Sequence, residues 1–269
     1  MTISFMTFVA PDWSLEQHLA AAIRYGYDGI EPRCASGHKH GIELTTTKPQ
    51  RKALRAQCAD CGIALPCVAT SMKFNFPAPA PVAAMVEETK RYLQLAADLG
   101  APNLRVFGGM PPDEGVSKQE GARRVAEGLA QCVTTAASCG VNLCLETHDF
   151  FCRVEHAALV VNAVNHPRLG FNWDLAHTAR YGETPQESWS HLAGRVYHCH
   201  VHDYTWPAEA PDDFQPAVMG QGMVPHGEDI RLLKAAGYQG ALSGEWIGER
   251  PAEEILPHAA RELRRWMIS

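Results

Sequence analysis

The sequence predicts a single (β/α)8 barrel, a closed ring of eight parallel strands with a helix after each. Three observations predict it. First, β-prone runs and helical runs alternate eight times within 269 residues, the length expected of one such barrel. Second, no linker or low-complexity break interrupts the alternation, so residues 1–269 read as one domain. Third, residues 8–14 after the first strand contain no glycine. An open doubly wound sheet usually carries a Gly-rich phosphate turn at that place.

The elements follow from spacing and punctuation. Residues 3–9 (Ile-Ser-Phe-Met-Thr-Phe-Val) are β-prone, and 14–25 carry apolar residues at helical spacing. Residues 28–32 (Asp-Gly-Ile-Glu-Pro) make a second strand, followed by an irregular stretch, 34–47, rich in Gly, His and Lys. A helix over 49–61 stops at Gly62, and a third strand spans 64–70. The Pro-rich 77–81 segment reads as a loop, before a long helix over 82–99 stopped by Gly100. Strand four begins at Leu104, helix four covers 117–139, and strand five is 141–146. Helix five covers 155–164, strand six 169–174, and a weaker helix lies around 186–192. Strand seven spans 195–202, and a long loop over 203–226 leads to a helix at 228–236. Strand eight is 241–245, and the last helix, 251–266, has Pro at its first turn.

Composition narrows the function. With 46% hydrophobic residues the chain has ample core material. A net charge of −6 argues against binding along a nucleic-acid backbone, which needs a positive surface. Nine cysteines at irregular positions do not form a secreted disulfide framework. Cys58-Ala-Asp-Cys61 lies in a helical pattern with no second CxxC, and reads as two small residues packing inward. The N-terminal run has no basic region and stops at Pro11-Asp12, so it reads as a strand and not a signal peptide. No apolar run approaches a membrane span, so no membrane partner and a cytoplasmic setting are expected.

The most informative stretch is residues 196–203, Val-Tyr-His-Cys-His-Val-His-Asp. On a strand, His198, His200 and His202 share one face. They read either as ligands or proton carriers, or as a solvated polar edge. In a barrel, chemistry sits where strands end and helix-leading loops begin. The last residues of the late strands are Glu146, Asp174, His200 and Glu245. Each suits a metal ligand, and parity turns Leu143, Leu145, Phe171, Trp173 and Leu242 toward the helices. The same parity aims Cys144, Asn172, His198 and Ser243 inward below the ligands. Three carboxylates and one imidazole favour Mn²⁺ or Mg²⁺, with Co²⁺ or Zn²⁺ as alternatives. Such an ion bound to a carbonyl oxygen and its neighbouring hydroxyl would stabilise an enediolate, while two carboxylates on opposite sides move the proton.

These motifs resemble those of the xylose isomerase-like TIM barrels, the superfamily of sugar isomerases and epimerases that also contains endonuclease IV. Gly26-Tyr-Asp-Gly-Ile-Glu31 is similar to the second strand, and Leu143-Cys-Leu-Glu-Thr-His148 to the fifth. Trp173-Asp-Leu-Ala-His177 resembles the family's Asp-x-x-His, and His200-Val-His-Asp203 its His-x-Lys-Asp, with His202 in place of Lys. Gly220-Gln-Gly222 and Ser243-Gly-Glu245 complete the series. The resemblance implies a divalent ion on Glu146, Asp174, His200 and Glu245, with Glu146 and Glu245 as the acid/base pair. It implies that His177 contacts a substrate oxygen. It does not fix the reaction, since isomerases, epimerases, dehydratases and eliminases of keto sugars share this set.

Further residues are expected at the pocket. His148 and His202 are extra imidazoles that either line it or are solvated histidines of a loop or rim, with His202 at the rim. Arg105 on strand four would pair with a substrate carboxylate or phosphate if it faces inward, and with a helix acid otherwise. Arg153 and Arg180 read as solvent-exposed, and the 203–226 loop as a lid or an oligomer contact. The expected function is an isomerase or epimerase of a small sugar, sugar phosphate or cyclitol. A lyase on the same site is the alternative. An abasic-site endonuclease conflicts with the acidic charge, and a barrel that only binds a ligand leaves the intact ligand set unexplained. A homo-oligomer is compatible with such an enzyme.

Overall fold

The computed structural model describes residues 1–248 and 250–268. Its strands are β1 (Thr2–Met6), β2 (Gly29–Glu31), β3 (Val68–Ala69), β4 (Asn103–Val106) and β5 (Asn142–Glu146). They continue with β6 (Leu169–Asp174), β7 (Val196–Val201), β8 (Asp203–Thr205), β9 (Gln215–Ala217) and β10 (Ala241–Gly244). Among the described residues, eight of these form one parallel sheet in the order β2-β1-β10-β7-β6-β5-β4-β3. Its two ends meet through parallel bridges between Gly29 and Ala64 and between Arg33 and Ala69. The barrel is therefore closed with no open edge.

The helices are α1 (Leu15–Tyr25), α2 (Lys48–Asp60), α3 (Pro79–Leu99), α4 (Lys118–Ala130) and α5 (Val133–Cys139). They continue as α6 (Val154–Val164), α7 (Leu175–Arg180), α8 (Pro185–Leu192), α9 (His226–Ala235) and α10 (Ala252–Ile268). Starts follow local chemistry: Ser14 with Gln17, Thr47 with Gln50 and Thr184 with Glu187 each form reciprocal capping pairs. Helix ends at Gly26, Gly100 and Gly140 take left-handed backbone. No described helix is long and apolar enough to cross a membrane.

Several boundaries differ from expectation. Helix α3 begins at Pro79, inside the segment read as a loop, because a first-turn proline lacks only an N–H that would be unpaired anyway. The helix expected over 117–139 is two. Gln131 and Cys132 donate to Gly128 and Leu129, three residues back, and this tightening ends α4. The short α7, capped by the Asp174 side chain, went unread. The 203–226 loop contains the antiparallel β8–β9 hairpin. Cys58 packs inward as expected, but Cys61 is exposed.

The outward faces of the strands, with Leu143, Leu145, Phe171, Trp173 and Leu242, are sealed under helices. The inward face is polar: Glu31, Arg105, Glu146, Asn172, Asp174, His198 and His200 are fully buried. One irregularity sets their heights. The β6–β7 register shifts between Phe171 and Asn172, so that Phe171 pairs with Val196 but Asn172 with His198. Tyr197 is the extra residue of this bulge. Its ring lies over Gly170, where an added Cβ would collide with that ring and with the Arg195 carbonyl. Gly170→Ala is therefore expected to lower stability by roughly 1–3 kcal/mol. Thermal melting against wild type checks this.

Candidate metal and active site

Residues level with one another in adjacent parallel strands share a face. Glu146 is level with Asn172, and Asn172 with His198. Two residues on, Asp174 is level with His200, and His200 with Ser243. Glu245 lies just beyond, its N–H donating to the Val201 carbonyl at 3.1 Å. The four expected ligands thus come from four adjacent strands but at staggered heights. The lower one, Glu146, has the longer side chain. One donor atom from each of Glu146, Asp174, His200 and Glu245 lies within 4.8 Å of all the others.

This donor set fits a divalent ion. His200 Nδ1 stands 2.6 Å from Glu146 Oε1 and 3.1 Å from Glu245 Oε2, while its Nε2 stands 3.2 Å from Glu31 Oε1. A carboxylate that takes one ring nitrogen leaves the other to face a metal with its lone pair. Asn172 Nδ2 donates to Glu146 Oε1 at 3.1 Å and so orients that carboxylate. Glu146 Oε2 is buried and accepts no hydrogen bond, although Arg105 Nε lies 3.3 Å away. Two further clusters have donors equally close, Glu31–His198–His200 and Asp174–His177–His202.

Charge balance holds these groups together. Burial would raise Glu245, but His200, Arg105 and His202 bring it down to about 2. Burial would likewise raise Asp174 and Glu31. The imidazoles of His202 and His177 hold the first well below the carboxylate range, and those of His198 and His200 the second. Burial would strip His200 of its proton, yet Glu31, Glu245 and Glu146 push its affinity well above the ordinary value. Arg105 faces inward, its Nη1 donating to the Thr70 carbonyl at 2.7 Å under the Phe107 ring. Its Nε stands 3.3 Å from Glu146 and its Nη2 3.9 Å from Glu245, so its charge offsets theirs, while neither N–H group makes a hydrogen bond.

Above the carboxylates stands a wall of imidazoles. The rings of His148 and His177 meet edge to face at 4.4 Å, and those of His177 and His202 at 5.3 Å. His202 Nε2 bridges both Asp174 oxygens at 2.9 and 3.0 Å. His202, read as a rim residue, is in fact buried beneath Tyr204. His148 is partly exposed and pairs with Asp149 at 2.8 Å. Burial lowers His177 to about 3, so its ring is neutral.

Arg180 was read as solvent-exposed, but it is buried, with Nε donating to His177 Nδ1 at 3.0 Å. Arg153 is exposed as expected. Glu31 ends β2 as Glu146 ends β5, and it belongs to this network although its strand lies far from the others in sequence. The 34–47 stretch packs on the site edge. His38 meets Thr7 Oγ1 at 3.0 Å, and His40 meets the Arg33 carbonyl at 3.1 Å. Asp203 gathers the base of the long loop. Its carboxylate accepts backbone N–H groups from Tyr204, Gly220, Gly222 and Val224 at 2.8–3.3 Å. A Cβ at Gly222 would collide with that carboxylate, and Gly220 takes left-handed backbone at φ +83°, so each glycine of the Gly-x-Gly has its own reason.

Comparison with known proteins agrees with this architecture. A family model described as "Xylose isomerase-like TIM barrel" matches residues 19–267. SgbU of Haemophilus influenzae, named provisionally as an L-ribulose-5-phosphate 3-epimerase, is 24% identical over 263 residues. That match covers 94% of this chain and 90% of the relative. A solved L-ribulose 3-epimerase superposes with a TM-score of 0.81 at 18% identity, covering 99% of this chain and 94% of the other. The IOLI protein, solved with a bound zinc atom, superposes with a TM-score of 0.82 at 19% identity, covering 100% and 97%.

The depressed carboxylates give the metal-free protein a pH signature. A group held below its unfolded value stabilises the fold fully above that value, about 4, and loses the contribution as pH falls toward the folded one. For Glu245 that lower limit is about 2. The melting temperature of chelator-treated protein is expected to drop on acidification below about pH 5. Glu245→Gln should flatten part of the drop.

Proposed function

Because this chain belongs to the xylose isomerase-like TIM barrel family, we propose that it is a divalent-metal-dependent sugar isomerase or epimerase. The ion would be held by Glu146, Asp174, His200 and Glu245. The observation that carries this reading is the meeting of these four buried donors within 4.8 Å. Their mostly oxygen character favours Mn²⁺ or Mg²⁺ over Co²⁺ or Zn²⁺. When bound, the ion supplies Lewis-acid stabilisation of negative charge on adjacent substrate oxygens.

The chain's own residues do the remaining work. Glu146 and Glu245 are the proton-transfer pair: one, ionised, removes the proton beside the carbonyl, and the other, in its protonated form, delivers a different, solvent-derived proton from the opposite face. Asn172 and Arg105 hold Glu146, and Arg105 and His200 hold Glu245. Neutral His177 offers a proton to a substrate oxygen, with His148 and His202 lining the same wall. Tyr204 and Phe214, 4.6 Å apart, pack against the His177 ring at 6.3 and 6.1 Å. The substrate class is a small ketose or its phosphate, in keeping with the relatives named for L-ribulose and its 5-phosphate.

One observation favours a second reaction on the same site. Three clustered imidazoles at His148, His177 and His202 would suit protonation of a leaving hydroxyl, as in a dehydratase. Incubation of Mn²⁺-supplemented protein with keto sugars, cyclitols and sugar phosphates in D₂O separates the two by NMR. An isomer carrying solvent deuterium beside the carbonyl is expected; a new double bond with release of water would establish the lyase. Glu146→Gln and Glu245→Gln are each expected to cut turnover by orders of magnitude with the circular dichroism unchanged. Mn²⁺ at about 100 times its Kd should stabilise wild type by ~2.7 kcal/mol. His200→Asn should largely abolish that gain.

A further inference from the structure

Arg180 follows His177 by three residues at the end of α7, yet it lies within none of the clusters that could hold an ion. Its five N–H groups can only donate. Nε donates to His177 Nδ1 at 3.0 Å. Nη1 donates to the Pro211 carbonyl at 2.8 Å and to Asp212 Oδ1 at 2.6 Å. Nη2 reaches Cys152 Sγ at 3.5 Å. The guanidinium is stacked on Phe214 at 4.7 Å and on Tyr181 at 4.8 Å, and Tyr181 Oη also donates to Asp212 at 2.7 Å. One buried side chain therefore touches both an active-site imidazole and the segment 211–214 that folds over it.

We propose that Arg180 is a positioning residue that fixes the proton of His177 on Nε2 and does so only while the 211–214 segment is docked. A nitrogen that accepts from a guanidinium must present a lone pair, so Nδ1 is unprotonated. A neutral imidazole then carries its single proton on Nε2. Asp174 Oδ2 lies 4.0 Å from that nitrogen. This is too far for a direct hydrogen bond and leaves the proton for a substrate oxygen. The same logic removes His177 from the metal ligands: a protonated Nε2 has no lone pair to give. The cluster Asp174–His177–His202, although close enough, therefore holds no second ion. Undocking of 211–214 takes from Arg180 its two oxygen partners and one of its two stacking rings, and His177 loses the donor that selects its tautomer.

This inference rests on the proposed function for the statement that His177 faces substrate, but its main test does not need a substrate. The probe is the Mg²⁺-loaded protein with ¹⁵N-labelled histidine, read by long-range proton–nitrogen NMR. His177 signals are identified by their loss in His177→Asn. In wild type the Nε2–H tautomer is expected. Arg180→Met should give a mixture of tautomers, and Asp212→Asn, altered at an exposed side chain, a smaller shift in the same direction. A wild-type ring protonated on Nδ1, a ring unmoved in both variants, or two ions per chain by elemental analysis would each overturn the proposal. On whichever sugar is turned over, Arg180→Met should lower kcat by about tenfold or more with little change in KM. A change in KM alone would overturn the positioning role. If no sugar is turned over, the proposed function fails while the ring spectra still decide on Arg180.

Discussion

The single extra residue at Tyr197 sets the height of everything beyond it on β7. Without it, Phe171 opposite Val196 would continue as Asp174 opposite Cys199. Cys199 faces the helices, so Asp174 would have no imidazole level with it. With the bulge, His200 stands beside Asp174 and His198 beside Asn172, on the face that looks into the barrel. Gly170 makes room for the displaced ring, and Tyr197 Oη is tied to the Pro167 carbonyl at 2.7 Å. A backbone irregularity thus decides which side chains meet at the site.

Once those side chains meet, they must satisfy one another. Isolated buried charges are costly, and a pair repays desolvation only when hydrogen bonds engage its remaining polar atoms. Here the buried polar groups form a continuous chain: His198 to Glu31, Glu31 to His200, His200 to Glu146 and Glu245, and both of these to Arg105. Each carboxylate has at least one positive neighbour before any ligand arrives. The site is thus pre-organised by the barrel wall, and the loops above it determine what enters.

Much of this arrangement was legible in the sequence, for local reasons. Strand endings and the two-residue alternation are properties of short segments, so Glu146, Asp174, His200 and Glu245 stood out as strand-end residues on successive strands. Alternation also placed Asn172 and His198 inward. Stagger between strands is not local, and it decides that Asn172 touches Glu146 while Ser243 stands beside His200. The orientation of Arg105 stayed open for the same reason. Glu31 carried the same signal as Glu146, but from an early strand, and its partners lie 167 and 169 residues away. Arg180 looked like a surface residue because the segment that buries it returns only at residues 211–214, through a hairpin without a strong turn motif.

The four amides gathered on Asp203 have a consequence for how such a protein can change. They join the two ends of the segment between Tyr204 and Gly220 at one carboxylate, just past the end of β7. Closure entropy rises slowly with length, by about 0.6 kcal/mol per doubling. A segment closed at its base can therefore lengthen, shorten or exchange side chains while the strand beneath keeps its register. Side chains that would meet a substrate can change there while the acid-lined face beneath keeps its geometry. A lineage built on this clasp could acquire new sugars by rewriting residues 205–219 and leave the chemistry beneath them inherited intact.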